Sequence, residues 1–410
     1  MSAIDSPADP ARPFARPVTL LLNIAHAIDH MFLLIFAAAV GTIAADFGFA
    51  QWEDLMPYGV AAFFLFGIGS WPAGRLGDLW GRRRMMLLFF FGIGGAALLC
   101  AFTQNAWQLA GALALVGLFA AIYHPVGIPM IVQHAPNPGA VIGVNGLAGN
   151  LGVAVAALVT GLLVQAFGWR AAFAVPGLFS IVCGLVFMRV CPDETEPPSR
   201  RKSRAAVTLP PQALARAFAV MTAAAVTGSL LFNFTTNGNA QLLDERLRGV
   251  VEDPVWLGAL LAGIYVAASL TQIVVGRLID RVSLKPLYLS IALAQIPLLL
   301  WAAWAQGWAL YLALLGAMVF IFGAIPFTDA MIVRYVDDRS RSRVAGMRLT
   351  VSFGVSSLAV WLLGPVVKQA GFNTLLLVMA VIAACTAAMV TLLPDERTAA
   401  AAPALEPDAR

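Results

Sequence analysis

The sequence predicts an all-α membrane protein: twelve transmembrane helices in two pseudo-symmetric six-helix bundles. Three observations carry that expectation. The chain of 410 residues is 60% hydrophobic and only 12% charged, whereas soluble domains are roughly a quarter charged. Its apolar residues fall in blocks of about 20, the length a helix needs to cross a hydrocarbon core of about 30 Å. Finally, the stretch GRLGD at 74–78 returns as GRLID at 276–280, an offset of 202.

The blocks place spans at 18–46, 55–74, 85–103, 107–132, 140–167, 171–190, 216–239, 257–276, 286–305, 308–332, 344–367 and 373–393. An even number of spans puts both ends of the chain on one side. With that side cytoplasmic, only Arg170, Arg246, Arg248 and Lys368 of the 26 basic residues face outward. This asymmetry fixes orientation by the positive-inside rule. The net charge of +4 therefore belongs to the inner leaflet, and no nucleic-acid partner is expected. A bacterial-type inner membrane is the expected location.

Residues 1–17 read as a polar cytoplasmic tail, and the first apolar run is too long for the core of a cleavable signal peptide. Residues 18–190 form the first expected six-helix bundle. Next comes CPDETEPPSRRKSRAAVTLPPQ, rich in Pro and charge, so 191–215 reads as a cytoplasmic linker. Residues 216–393 form the second bundle and 394–410 a second cytoplasmic tail. The four cysteines, 100, 183, 191 and 385, have no metal-ligand spacing and read as reduced, packed thiols.

The halves align at a second place. VIGVNG…TGLLVQAFGW (141–169) matches VAGMRL…LGPVVKQAGF (344–372) at an offset of 203. Two matches at nearly one offset indicate an internal duplication, and duplicated helical halves with a ligand site near the midplane are a transporter architecture.

GRLGDLWGRRRMM at 74–86 resembles the loop 2–3 signature of the major facilitator superfamily, which joins Gly-x-Leu-x-Asp to Gly-Arg and further basic residues. The resemblance implies that this loop holds the cytoplasmic side closed, the Asp bonding across to the other half. Gly74, Asp78 and Arg82 then belong to a gate, with Asp280 in the repeat and Arg348 as further lock residues. Physically, Gly74 and Gly77 permit close helix approach, and the basic residues 82–84 anchor to the inner leaflet. A narrower likeness covers the first half: AHAIDH at 25–30, YHPVG at 123–127 and GNLG at 149–152 resemble motifs of the fosmidomycin-resistance-type efflux branch. Val126 and Pro129 depart from that branch, and span 5 lacks the Gly-Pro of the antiporters.

The polar residues inside the spans are the candidate site. At 100° per residue Asn23, His26, Asp29 and His30 fall within about 120° on one face of span 1. Ionisable groups at membrane depth face a wet cavity or a partner. His26 and His124 each lie about eight residues from the inner ends of spans 1 and 4, some 12 Å deep, so they are expected to meet. Pro125 is expected to bend span 4. In the second half, Asn233 and Asn237 share a face with Ser229 and Thr236 on span 7. Asp329 follows Pro326 on span 10 and is placed to pair with Arg348 of span 11.

Three readings of the cluster compete. In the first, a buried Asp and a titrating His couple solute movement to protons, with Asp29 and His30 as the coupling or binding pair. In the second, His26, Asp29, His30 and His124 ligate a transported divalent metal or metal chelate. The third notes that HAIDH is similar to a zinc hydrolase pattern, but no third ligand motif follows, and an enzyme is not expected. No phosphate loop or cofactor motif is present, so an ion or solute gradient must supply energy. The expectation is a secondary transporter moving a small solute by alternating access, as proton-coupled efflux of a drug-like or toxic organic compound. A proton-coupled importer and a metal transporter are the alternatives, and a monomer is sufficient for any of them.

Overall fold

The computed structural model describes residues 16–50, 55–133, 135–200, 209–251 and 254–394; His134 and the side chain of Asn237 lie outside the description. Every regular element described is helical. The helices are α1 (Arg16–Asp46), α2 (Val60–Trp80), α3 (Arg82–Ala101), α4 (Ala106–Ile131), α5 (Pro138–Phe167), α6 (Trp169–Val190), α7 (Pro211–Arg246), α8 (Pro254–Ile279), α9 (Leu284–Trp304) and α10 (Gly307–Tyr335). A last continuous run, Arg341–Thr391, breaks at Gly371, whose φ of 74° only glycine adopts without strain. We treat its limbs, 341–370 and 372–391, as α11 and α12.

Ten of these helices are long and apolar enough to cross a membrane. The other two are of spanning length but carry charge: α2 holds Arg75 and Asp78, and α11 holds Arg341, Arg343 and Arg348. The outward faces are greasy, with Phe64 at 64% and Val381 at 62% exposure. Such faces suit lipid, not water. Exposed Trp80, Trp107, Trp304 and Trp308 sit at helix ends, where an interfacial aromatic belt belongs.

Two compact units result. The first gathers 1–203 with 272–280 at the end of α8 and 338–357 at the start of α11. Within it α1 packs along α5, α3 along α6, and α2 and α3 against α4. Glycines allow the closest approaches: a methyl group on Gly152 would meet the Ala27 backbone of α1, and one on Gly94 the Gly177 carbonyl at 2.7 Å. The second unit takes the remainder of α7 to α12. There α10 packs on α9 and α7 around Leu299, Leu314, Met318, Phe322 and Met379.

Helix α4 starts with a cap, the Asn105 side chain accepting the Gln108 N–H at 3.0 Å. Its far end carries a π-turn at Tyr123–Gly127. The bend expected at Pro125 is thus an inserted residue that absorbs the missing N–H, a feature that re-aims side chains. Cys100, Cys183 and Cys191 are free and buried, while Cys385 is exposed, which corrects the expectation that all four are packed. Burial pushes the Cys191 thiol up to about 12, so it stays protonated.

Candidate functional site

Helix periodicity stacks His26 and His30 one turn apart on α1, and their Nε2 atoms lie 3.1 Å from each other. His26 Nδ1 is 2.7 Å from the Asn145 carbonyl of α5. A carbonyl only accepts, so Nδ1 carries the proton and Nε2 presents its lone pair. The π-turn brings His124 to the same place: its ring centroid is 4.9 Å from that of His26 and 5.4 Å from that of His30, both near perpendicular. Three imidazoles therefore converge, and the depth argument from sequence correctly paired His26 with His124.

Asp29 is fully buried on the same face. Its Oδ2 lies 3.4 Å from His124 Nε2, and neither carboxylate oxygen has a hydrogen bond. His26 is nearly as buried, whereas His30 and His124 are partly exposed.

A polar scaffold, missed by sequence reasoning, holds the rings. Tyr123 stacks on His26 at 4.7 Å and donates its hydroxyl hydrogen to the Leu22 carbonyl at 2.8 Å. The Asn145 amide donates to the Tyr123 hydroxyl at 2.7 Å and to Asn23 Oδ1 at 2.9 Å. Opposite, Gly149 leaves the space that the His26 ring fills; a methyl there would sit 2.6 Å from Nε2. Phe66 and Phe353 flank His124 with centroids at 6.0 and 6.2 Å.

The second constellation lies at the α2–α3 turn. Asp78 accepts the N–H groups of Ser342 and Arg343, 3.2 and 2.8 Å away, in the first turn of α11. Gly74 lies beneath the Ser342 carbonyl with no room for a side chain. Arg82 is wholly buried. It donates to Asp338 Oδ1 at 2.7 Å, the Asp338 carbonyl at 2.8 Å, Ser342 Oγ at 3.0 Å and the Pro129 carbonyl at 3.3 Å. Arg341 adds a 3.1 Å contact to Asp338. Asp280 repeats the Asp78 arrangement on the first turn of α5, accepting from Gly139 and Ala140 at 2.8 Å each. A buried Arg demands a carboxylate, but nothing in the sequence singled out Asp338 among its charged neighbours.

The Asn233 amide donates to the Ser229 carbonyl of its own helix at 2.9 Å. Asp329 is half-buried on α10, in the second unit, and Arg348 is buried on α11, in the first. Asn237 keeps its place on α7, its side chain undescribed.

Comparison with known proteins adds what geometry cannot. The model of the family described as Major Facilitator Superfamily matches residues 22–245 and 253–410. The chain is 31% identical over 166 residues to a protein named probable actinorhodin transporter from Streptomyces coelicolor, covering 38% of this chain and 28% of that one. It is 31% identical over 188 residues to the multidrug efflux pump LfrA of Mycolicibacterium smegmatis, covering 45% and 35%. It thus matches about a third of each of these two relatives. Multidrug resistance protein MdtG of Citrobacter koseri is 24% identical over 361 residues, covering 83% of this chain and 85% of that one. Among solved structures, the Escherichia coli fucose:proton symporter FucP superposes with a TM-score of 0.71 at 15% identity, covering 92% and 98%. The proton:xylose symporter XylE gives 0.73 at 13%, covering 92% and 95%. These two likenesses carry the fold alone.

Proposed function

The chain belongs to the major facilitator superfamily and is a multi-pass membrane transporter; from that premise we propose that it is a proton-coupled antiporter exporting a drug-like or toxic organic compound. The single observation behind the coupling is the Asp29–His124 contact at 3.4 Å, joined through the ring cluster to His30 and His26. A carboxylate and imidazoles are groups of the kind that takes up protons, and ionisable groups at membrane depth face a partner or a wet cavity. A relative named as a multidrug efflux pump supports the outward direction.

In this reading Asp29 and His30 bind proton or substrate in mutual exclusion, with His26 and His124 shaping the site. Asn233, Asn237 and Asp329 are assigned to substrate or proton coupling from the second half. Gly74, Asp78, Arg82, Asp280 and Arg348 belong to a cytoplasmic lock that forms and breaks as access alternates. Both ends of the chain are cytoplasmic, the membrane is a bacterial-type inner one, and a monomer performs the cycle. The fosmidomycin-resistance likeness stays a resemblance of motifs.

The test is reconstitution in liposomes with a trapped pH-sensitive dye and a panel of lipophilic drugs. Antiport predicts that drug movement one way produces proton movement the other way, and that Asp29→Asn removes both. A proton flux in the same direction as the drug would replace export by import. Full coupled flux in the variant would end the assignment of Asp29.

A further inference from the structure

We propose that His26, His30 and His124 form an exchangeable binding site for a borderline divalent transition-metal ion, of which Zn²⁺ is the probe. The inference goes beyond the transport reading and stands without it.

Geometry comes first. One nitrogen from each of the three rings lies within 4.8 Å of the others, and the His26 and His30 Nε2 atoms are already 3.1 Å apart. Zinc–imidazole bonds of about 2.0–2.1 Å place tetrahedral nitrogens roughly 3.4 Å from each other. A ring shift on the order of an ångström closes the set.

The surroundings match what a histidine ligand needs. A metal-binding imidazole donates its other N–H to a carbonyl or carboxylate, which fixes the ring and its tautomer. His26 does this with the Asn145 carbonyl at 2.7 Å, leaving Nε2 for an ion. His124 Nε2 lies 3.4 Å from Asp29 Oδ2 without a hydrogen bond to it. One of the three ligands thus has its outer hydrogen bond before any ion arrives, and a second faces a carboxylate.

Charge is the independent observation. Asp29 is completely buried, and neither of its oxygens has a hydrogen bond. A bare carboxylate in such a place is costly, and a cation held by the adjacent rings offsets it. Neutral imidazoles select zinc, iron, copper or nickel over magnesium and calcium, which want oxygen. Three protein ligands leave a fourth position for water or a solute donor atom, as in exchangeable rather than structural sites. Partial exposure of His30 and His124 gives the ion a way in.

The experiment uses the full chain, purified without a polyhistidine tag, stripped with chelator and dialysed against Zn²⁺, with zinc counted by elemental analysis. Co²⁺ serves as a spectroscopic probe of coordination. We expect about one ion per chain, visible four-coordinate cobalt bands, and an affinity loss of about 10- to 100-fold in Asp29→Asn. His30→Ala and His124→Ala should abolish stoichiometric binding; His30→Gln and His124→Gln, which keep side-chain bulk, serve where the alanine variants fail to fold. Wild type that takes up no stoichiometric zinc, or glutamine variants that bind it as tightly as wild type, would overturn the site. Binding is read without transport, so failure here leaves the antiport reading to its own test.

Discussion

Asp280 and Gly139 meet through a 2.8 Å hydrogen bond from the Gly139 N–H to the carboxylate, and Ala140 adds a second of equal length. The same contact recurs between Asp78 and the N–H groups of Ser342 and Arg343. Each carboxylate satisfies backbone donors that a helix leaves unpaired in its first turn, and each meets the positive end of the helix dipole. The duplication read at an offset of 202 is therefore a duplicated interaction, and not only a duplicated sequence.

Asp280→Asn and Asp78→Asn keep the shape of the side chain but remove its charge. Each should lower stability by about 1–2 kcal/mol, read as a lower midpoint of thermal unfolding in detergent. The loss should be larger at Asp78, which also lies 3.6 Å from Arg82. Unchanged midpoints in both variants would show that the charge contributes nothing to these caps.

Asp338→Ala should be the more damaging change. It leaves the guanidinium of Arg82, with no exposure at all, without its 2.7 Å carboxylate partner. Breaking one side of a buried pair costs about 3–5 kcal/mol. Removing both charges in Arg82→Leu/Asp338→Leu should cost less than the two single losses added together. A double-mutant cycle of unfolding midpoints measures this, and strict additivity would deny the coupling.

The spans and the histidine cluster were legible because both depend on periodicity. Apolar blocks mark the helices, and the 3.6-residue turn alone puts His26, Asp29 and His30 on one face. Equal depth then brought His124 in. The scaffold around them was not legible. Asn145 acts through its backbone carbonyl as well as its amide, and every residue has a carbonyl. Tyr123 stood inside a quoted motif, but its hydroxyl bonds to Leu22, 101 residues away. Asp338 sits in a turn crowded with arginines, where a carboxylate reads as a solvated charge. Asp280 was found as a repeat, but its partners are N–H groups that no side chain announces.

Gly149→Val should disable the cluster without unfolding the bundle. Even a methyl group at Gly149 would stand 2.6 Å from His26 Nε2, so the ring must leave its bond to Asn145. We expect coupled transport to fall at least tenfold, roughly the loss that misplacing a positioned group brings. Gly161→Val is the control on the same helix, since a Cβ there meets nothing within 4 Å. Similar losses in both would point to a general helix effect.

Gln272→Leu makes the opposite prediction from most core substitutions. Gln272 lies on α8 in the first unit, 1% exposed, its amide packed over Gly146 of α5. Neither its oxygen nor its nitrogen has a hydrogen-bond partner. A buried amide in that state destabilises by about 1–3 kcal/mol relative to a satisfied one. Leu is close in volume and has nothing to satisfy, so the unfolding midpoint should hold or rise. The amide gains its purpose if α8 and α5 separate during transport, because each group would then meet water or a new partner. A variant that is more stable yet transports more slowly would assign Gln272 to that step. A variant that is clearly less stable would mean the amide is satisfied where it stands.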